Sequence, residues 1–306
     1  MLVAITGANG FIGRSLVHRF EGEGHTVRPV VRADIEGRNL DRLVAGADVV
    51  IHAAGATRAP TRAQLAASNV ALTSQVIDAS KRGGVGRFVF ISSQAAAGPA
   101  LSLDLPVTEA TPPAPMDAYG RSKLDAERVV QNSGVPFVIV RPAAVYGPYD
   151  RDFLDLFRLA RFGVAIHPGN RDQWISIAHV DDVARGVLLA STAASAAGGT
   201  FFVANDQPVQ WRDLFAKAAK CADRRLHTDV EVPAWLVRIG AAAGDVVSQV
   251  SGRTSLLTSD KVALAEPRFW VCSAGRIRRE LGYVAKMPLD DGFAETYRWY
   301  LEEHWL

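Results

Sequence analysis

Two cysteines in 306 residues, Cys221 and Cys272, are too few for a disulfide framework, and neither sits in a CxxC pair. Both read as reduced thiols. No group of His, Cys and carboxylate residues has metal-ligand spacing. The nearest, His179 with Asp181 and Asp182, reads better as a helix start, so no metal is expected. Charge of one sign is also scarce. A formal net charge of +2 and the lack of a long basic run exclude the electrostatic footprint of a nucleic-acid or anionic-membrane binder. No stretch approaches the roughly 20 apolar residues that span a bilayer. The opening Met-Leu-Val-Ala-Ile-Thr-Gly lacks the basic segment and long apolar run of a signal peptide, and a cytoplasmic protein is expected. There is no internal repeat and no low-complexity tract.

What the chain does contain is an ordinary globular composition, 48% hydrophobic and 22% charged, with ample material for a core. Near-continuous apolar runs at Leu2–Thr6, Val27–Val31, Val49–His52, Phe88–Ile91, Phe137–Val140 and Phe201–Ala204 read as buried parallel strands. Helical patterns lie between them near Phe11–Glu23, Thr61–Lys81, Tyr119–Gln131 and Val180–Ala190. This alternation predicts an α/β fold, a doubly wound parallel sheet of the Rossmann type, with a smaller, mainly helical C-terminal lobe. The expected division is 1–144 for the dinucleotide domain and 145–306 for a substrate lobe, with about 176–204 returning to the sheet. Too few residues separate Val31 from Val49 for a full helix, strand and helix, so the third strand is expected to shrink to a stub around Ala33–Ile35. Further helices are expected at Phe153–Arg161, Trp211–Cys221, Pro233–Val250 and Leu289–Glu303.

Gly7-Ala8-Asn9-Gly10-Phe11-Ile12-Gly13 follows the first strand and opens a helix. Glycines there let the backbone turn tightly and approach a pyrophosphate, whose charge the helix N-terminus stabilises. Tyr119 and Lys123 are four residues apart on a predicted helix and share a face. A nearby ammonium is expected to favour the phenolate and lower the tyrosine pKa, so that the phenol exchanges a proton with a substrate alcohol or carbonyl during hydride transfer. Ser93 follows the fourth strand, at the edge where parallel sheets bind ligands, and its hydroxyl suits a developing oxyanion. Ser92 competes for that role. At the end of the second strand stands Arg32, with no carboxylate before Asp34. This favours NADP, with NAD as the alternative.

In combination and order these motifs resemble the extended short-chain dehydrogenase/reductase family, also called the NAD-dependent epimerase/dehydratase family. The resemblance continues through His52-Ala53-Ala54-Gly55, Asn69-Val70, Ser92-Ser93, Tyr119-Gly120-Arg121-Ser122-Lys123, Arg141-Pro142, Val145-Tyr146-Gly147-Pro148 and His179-Val180-Asp181-Asp182. It implies a catalytic set of Ser93, Tyr119, Lys123 and Asn69, with Ser93 preferred over Ser92. It also implies that Asn69 kinks its helix and supports the lysine through water. The implied dinucleotide site runs over Gly7, Asn9, Gly10, Phe11, Ile12 and Gly13. To these it adds Arg32, the adenine-side pair Asp34-Ile35, Ala53, Ala54, Gly55, Tyr119, Lys123 and Pro142. A homodimer through the helices carrying Tyr119 and Asn69 is implied as well.

Nucleotide-sugar epimerases of this family carry an arginine that clamps the diphosphate just before the His-Val-Asp-Asp motif. Here the matching run is Ile175-Ser176-Ile177-Ala178. Trp174, Pro233, Trp235, Leu236, Val237, Ile239, Phe269 and Trp270 either line an apolar pocket or form core. The expected activity is therefore NAD(P)-dependent oxidoreduction at a hydroxyl or ketone of a fairly apolar small molecule. The alternatives are a nucleotide-sugar epimerase or dehydratase with tightly held NAD, and a non-catalytic dinucleotide-binding subunit.

Overall fold

The structure is a computed structural model that describes residues 1–36, 39–59, 61–168, 170–233, 235–237, 239, 241 and 264–306. The apolar runs form a six-stranded, wholly parallel sheet. Its strands are β1 (Leu2–Thr6), β2 (Thr26–Val30), β3 (Val49–His52), β4 (Arg87–Ile91), β5 (Phe137–Pro142) and, after four short strands, β10 (Thr200–Val203). Their spatial order is β10-β5-β4-β3-β1-β2. Alternate residues along each strand point to opposite faces, and both faces are covered. Val3, Ile5, Ile51, Val89 and Val140 pack under α1 (Phe11–Gly22) and α8 (Val180–Thr192). Ala4, Val50, Phe88, Phe90 and Ile139 pack under α5 (Leu72–Arg82) and α6 (Ala118–Gln131).

The connection from β2 to β3 corrects the sequence expectation. Residues Arg32–Glu36 form a short helix, α2, and not a strand stub. Asp34 explains why: three residues past Val31, its Oδ2 accepts the Val31 N–H at 2.8 Å, half of a capping box. The amides of Asp34 and Ile35 both return to Val31 O, which winds the chain instead of extending it. A second short helix, α3 (Leu40–Val44), then packs Leu40 and Val44 into the core.

A separate apolar cluster lies around Tyr146, Phe153, Phe157, Leu214, Phe215, Phe293 and Tyr300. It is built by α7 (Leu154–Ala160), α9 (Trp211–Cys221), α11 (Leu289–Glu302) and the small strand pairs β7 (Val164–Pro168) with β12 (Thr228–Val232) and β6 (Ala144–Tyr146) with β9 (Ile177–His179). The strand β8 (Trp174–Ile175) joins β11 (Val209–Gln210) and β13 (Phe269–Trp270) in a three-stranded sheet. The helix expected at 233–250 lies mostly outside the described residues. Of its apolar members, Val237 is buried while Trp235, Leu236 and Ile239 are exposed. Among the described residues no helix is long and apolar enough to cross a membrane, and no His, Cys, Asp or Glu cluster is suited to a metal.

Candidate active site

The order in which the chain adds strands reverses beside β1, whose neighbours β2 and β3 lie on opposite sides of it. This is the switch point at which open parallel sheets bind ligands, beyond the C-terminal ends of the strands. The loops after β1, β3 and β4 meet there and bring Gly7–Gly13, Ala53–Gly55 and Ser92–Ser93 together.

The glycine loop is shaped for close backbone approach. Gly7 has φ +72°, and a Cβ on it would lie 2.8 Å from Ala54 N. A Cβ on Gly13 would lie 2.0 Å from Gly7 O, so α1 can pass under the loop only with glycine there. Gly10 is the N-cap of α1 and brings no capping side chain, which leaves the first-turn amides available for an anion. These residues fit a dinucleotide pyrophosphate. Asn9 offers its carbonyl to Arg14 Nε (3.0 Å), and Ile12 and Ala53 pack against the core beneath the loop. Pro142 ends β5 beside Val203.

Near the end of β2, Arg28 is drawn away toward α3. Its Nη1 donates to Leu43 O (2.7 Å) and Ala45 O (2.9 Å), capping α3. Arg32 is thus the arginine standing just past the end of β2, with Asp34 engaged by Val31 N–H and Ile35 packed partly into the core.

Tyr119 lies in the first turn of α6, whose N-cap Asp117 accepts the Gly120 amide at 2.8 Å. The Ser93 side chain faces the Tyr119 phenol and favours its phenolate, a pull that lowers the phenol's pKa. Ser93 Oγ also accepts the Ala95 amide at 3.1 Å, which fixes it at the start of a short 3₁₀ turn, Gln94–Ala96. Ser92 points elsewhere: it is buried and donates to Glu127. The two serines thus have different partners.

Lys123 is buried, donates to Ile91 O at 2.6 Å and stands 4.6 Å over the Phe90 ring. Burial draws its pKa down to about 8, partly opposed by Glu127. Tyr119 moves opposite to expectation. Burial pushes it up to about 12, with the Ser93 side chain opposing the rise and Asp117 and Asp152 adding to it. Desolvation of the phenolate outweighs any help from the lysine, whose ammonium is held toward the end of β4. The phenol is therefore a protonated donor across the neutral range.

Asn69 sits in a π-turn, Ala67–Ala71, that interrupts the helix before α5. Its Oδ1 accepts the Ala56 amide (2.8 Å), and its Nδ2 donates to Ala56 O (3.0 Å) and Ser122 Oγ (2.8 Å). A Cβ on Gly55 would lie 2.7 Å from Asn69 Oδ1 and 3.7 Å from Lys123 Nζ, so a larger residue there would displace the Asn69 amide. The side chain of Asn69 thus bonds the β3 loop and α6.

Sequence reasoning missed two cross-crevice contacts. Arg58, after β3, pairs with Asp152. Arg14, just past the glycine loop, stacks 4.7 Å over Tyr149, which in turn packs on Trp299 at 4.5 Å. Tyr149 has φ +71°, unusual for a bulky residue, and follows Gly147-Pro148. That dipeptide was the one available signal.

A profile of the NAD-dependent epimerase/dehydratase family matches residues 3–204, about two thirds of the chain. The chain belongs to that family. Its relatives include a ceramide reductase of Caulobacter vibrioides, 29% identical and aligned over 100% of this chain and 96% of that one. A ketoreductase of a farnesylated dihydroquinoline oxide from Stigmatella aurantiaca is 26% identical over 95% of this chain and 94% of its own length. The structure of MoeE5 with UDP-glucuronic acid and NAD superposes with a TM-score of 0.80, covering 99% of this chain and 100% of that chain at 22% identity. At that identity the likeness speaks for the fold alone. Relatives of this chain are named as reductases, dehydrogenases and epimerases.

Proposed function

We propose that the protein is an NADP(H)-dependent reductase, or dehydrogenase in the reverse sense, acting on a ketone or secondary alcohol of a bulky apolar molecule. The observation that carries the substrate class is Ile175. It occupies the position where the family's nucleotide-sugar epimerases present an arginine, and it is 5% exposed, paired in β8 and packed into the second apolar cluster. Ser176, Ile177 and Ala178 are buried as well. A diphosphate held here would lack the bidentate partner that suits it. The relatives named for ceramide and for a farnesylated quinoline oxide support the same class.

The bound dinucleotide supplies or accepts the hydride. Gly7, Gly10, Gly13 and the first turn of α1 would hold its pyrophosphate, with Ala53–Gly55, Pro142, Tyr119 and Lys123 around the rest. The chain's own residues handle the proton. In the reductive direction Tyr119 gives its phenolic proton to the carbonyl oxygen while Ser93 donates a hydrogen bond to that oxygen. The Lys123 ammonium stabilises the phenolate left behind, and Asn69 is a positioning residue that ties α6 to the β3 loop. In oxidation the same groups run in reverse.

Arg32 supports NADP. The second reading, NAD recycled within an epimerase, is favoured by Asp34, a carboxylate at the same strand end. The test is to purify the protein, ask which dinucleotide stays with it through gel filtration, and supply NADPH with long-chain ketones. Net consumption of NADPH supports the reductase. Tightly retained NAD without net turnover overturns it. The proposed homodimer, through α5 and α6, is checked by light scattering.

A further inference from the structure

His52 ends β3 with its side chain wholly buried between the glycine loop and the π-turn. Its Nδ1 lies 2.6 Å from Thr6 Oγ1, and its Nε2 lies 3.1 Å from Thr73 Oγ1. The direction of each bond follows from counting hydrogens. Thr73 has one hydroxyl hydrogen and gives it to Asn69 O at 2.5 Å. Thr73 Oγ1 can therefore only accept from His52, which places the ring proton on Nε2. A neutral ring with Nε2–H has a bare Nδ1, so Thr6 must donate to it. Thr6 Oγ1 in turn accepts the Ala54 amide at 3.4 Å.

The bonds thus run one way, from Ala54 N–H to Thr6, to His52, to Thr73, to the Asn69 carbonyl. From the Asn69 side chain the path continues through Ser122 Oγ, whose hydrogen goes to Tyr119 O at 2.8 Å. Thr6 adjoins Gly7 of the cofactor loop, and Asn69 and Ser122 adjoin the catalytic pair. A protonated imidazole would break the sequence, because it cannot accept from Thr6. The surroundings disfavour that form. The Phe88 and Phe90 rings of β4 flank the imidazole, and burial together with the Lys123 ammonium on α6 lowers its pKa to about 3.

We propose that His52 is a positioning residue, locked as the neutral Nε2–H tautomer, whose directed hydrogen bonds couple the dinucleotide loop to the π-turn and through it to the Tyr119 helix. The catalytic consequence rests on the reductase reading above; the tautomer and the cofactor consequence do not.

Three measurements test it on the whole chain. Histidine-selective ¹⁵N labelling, with His52 assigned from His52→Gln, reads the tautomer, and Nε2–H is expected. Thr6→Val should weaken NADPH binding about tenfold, the worth of one hydrogen bond, and Thr6→Ser should restore it. Thr73→Val should lower kcat about tenfold with little change in NADPH affinity, and Thr73→Ser should restore it. A side chain that only fills space would leave the valine variants like wild type and make serine, one methyl smaller, the impaired one. An Nδ1–H tautomer, or valine variants with wild-type affinity and kcat, overturns the proposal. If a valine variant does not fold, the tautomer decides. If the wild-type protein reduces no ketone, the reductase reading fails while the tautomer and the Thr6 affinities still judge His52.

Discussion

Glu127 and Arg141 form an ion pair, Nη2 to Oε2 at 2.6 Å and Nε to Oε1 at 2.9 Å, with both side chains almost wholly buried. Arg141 belongs to β5, and Glu127 lies one turn past Lys123 on α6. The same carboxylate accepts the Ser92 hydroxyl at the end of β4. One buried carboxylate therefore fixes the helix that carries Tyr119 and Lys123 against two strands. Arg141→Met would leave it without its cation, and unfolding in urea should show a loss of about 3–5 kcal/mol.

Glu127 also sets the charge state of its neighbour. It raises the Lys123 pKa against the burial that lowers it to about 8. Reductase activity that needs the ammonium should decline as pH rises through about 8. Glu127→Gln should move that decline to lower pH, and Lys123→Arg should remove it. Stability runs the other way. Between about 8 and the ordinary lysine value of 10.5 the unfolded chain holds the proton and the folded chain does not. This group therefore adds stability as pH rises through that window, and its contribution is lost as pH falls through the folded value. Activity and urea-unfolding profiles measured together should show opposite slopes there.

Tyr119→Phe deletes one oxygen. It should lower kcat by about 10²–10⁴-fold, the usual worth of a positioned general acid. Its melting temperature and dinucleotide affinity should stay close to wild type. Retained activity would remove Tyr119 from the proton-transfer role.

Gly13→Ala places a methyl group 2.0 Å from the Gly7 carbonyl. Neither backbone can yield without moving the loop off α1. Dinucleotide titration should show binding lost or greatly weakened, while Gly22→Ala on the same helix, where a Cβ meets nothing within 4 Å, should bind normally.

Arg32→Gln should lower the preference for NADPH over NADH, read as the ratio of kcat/KM values. An unchanged ratio would show that Arg32 does not read the 2′-phosphate, and Asp34 would become the residue to examine.

The strands and the glycine loop were legible because their signals are local: apolar runs, glycine spacing, and a strand before a helix. Tyr119 and Lys123 were legible as a pair because four residues is one helical turn. Residues 32–36 were not legible as a helix, because the Asp34 carboxylate that winds the chain back onto Val31 leaves no trace in chain length. The Ser92–Glu127–Arg141 cluster and the His52 chain were not legible, because their partners lie 14 to 46 residues apart and meet only when the sheet assembles. The Tyr119 pKa was misjudged for a related reason: the lysine is visible in sequence, but the burial that overrides it is not.

The most direct test of the central claim is the stoichiometry of NADPH oxidation with a long-chain ketone, followed by absorbance of the reduced nicotinamide and by mass of the product. The account predicts one alcohol formed per NADPH consumed, abolished by Tyr119→Phe. A protein that keeps NAD bound through purification and consumes neither NADPH nor NADH with any ketone offered would contradict it.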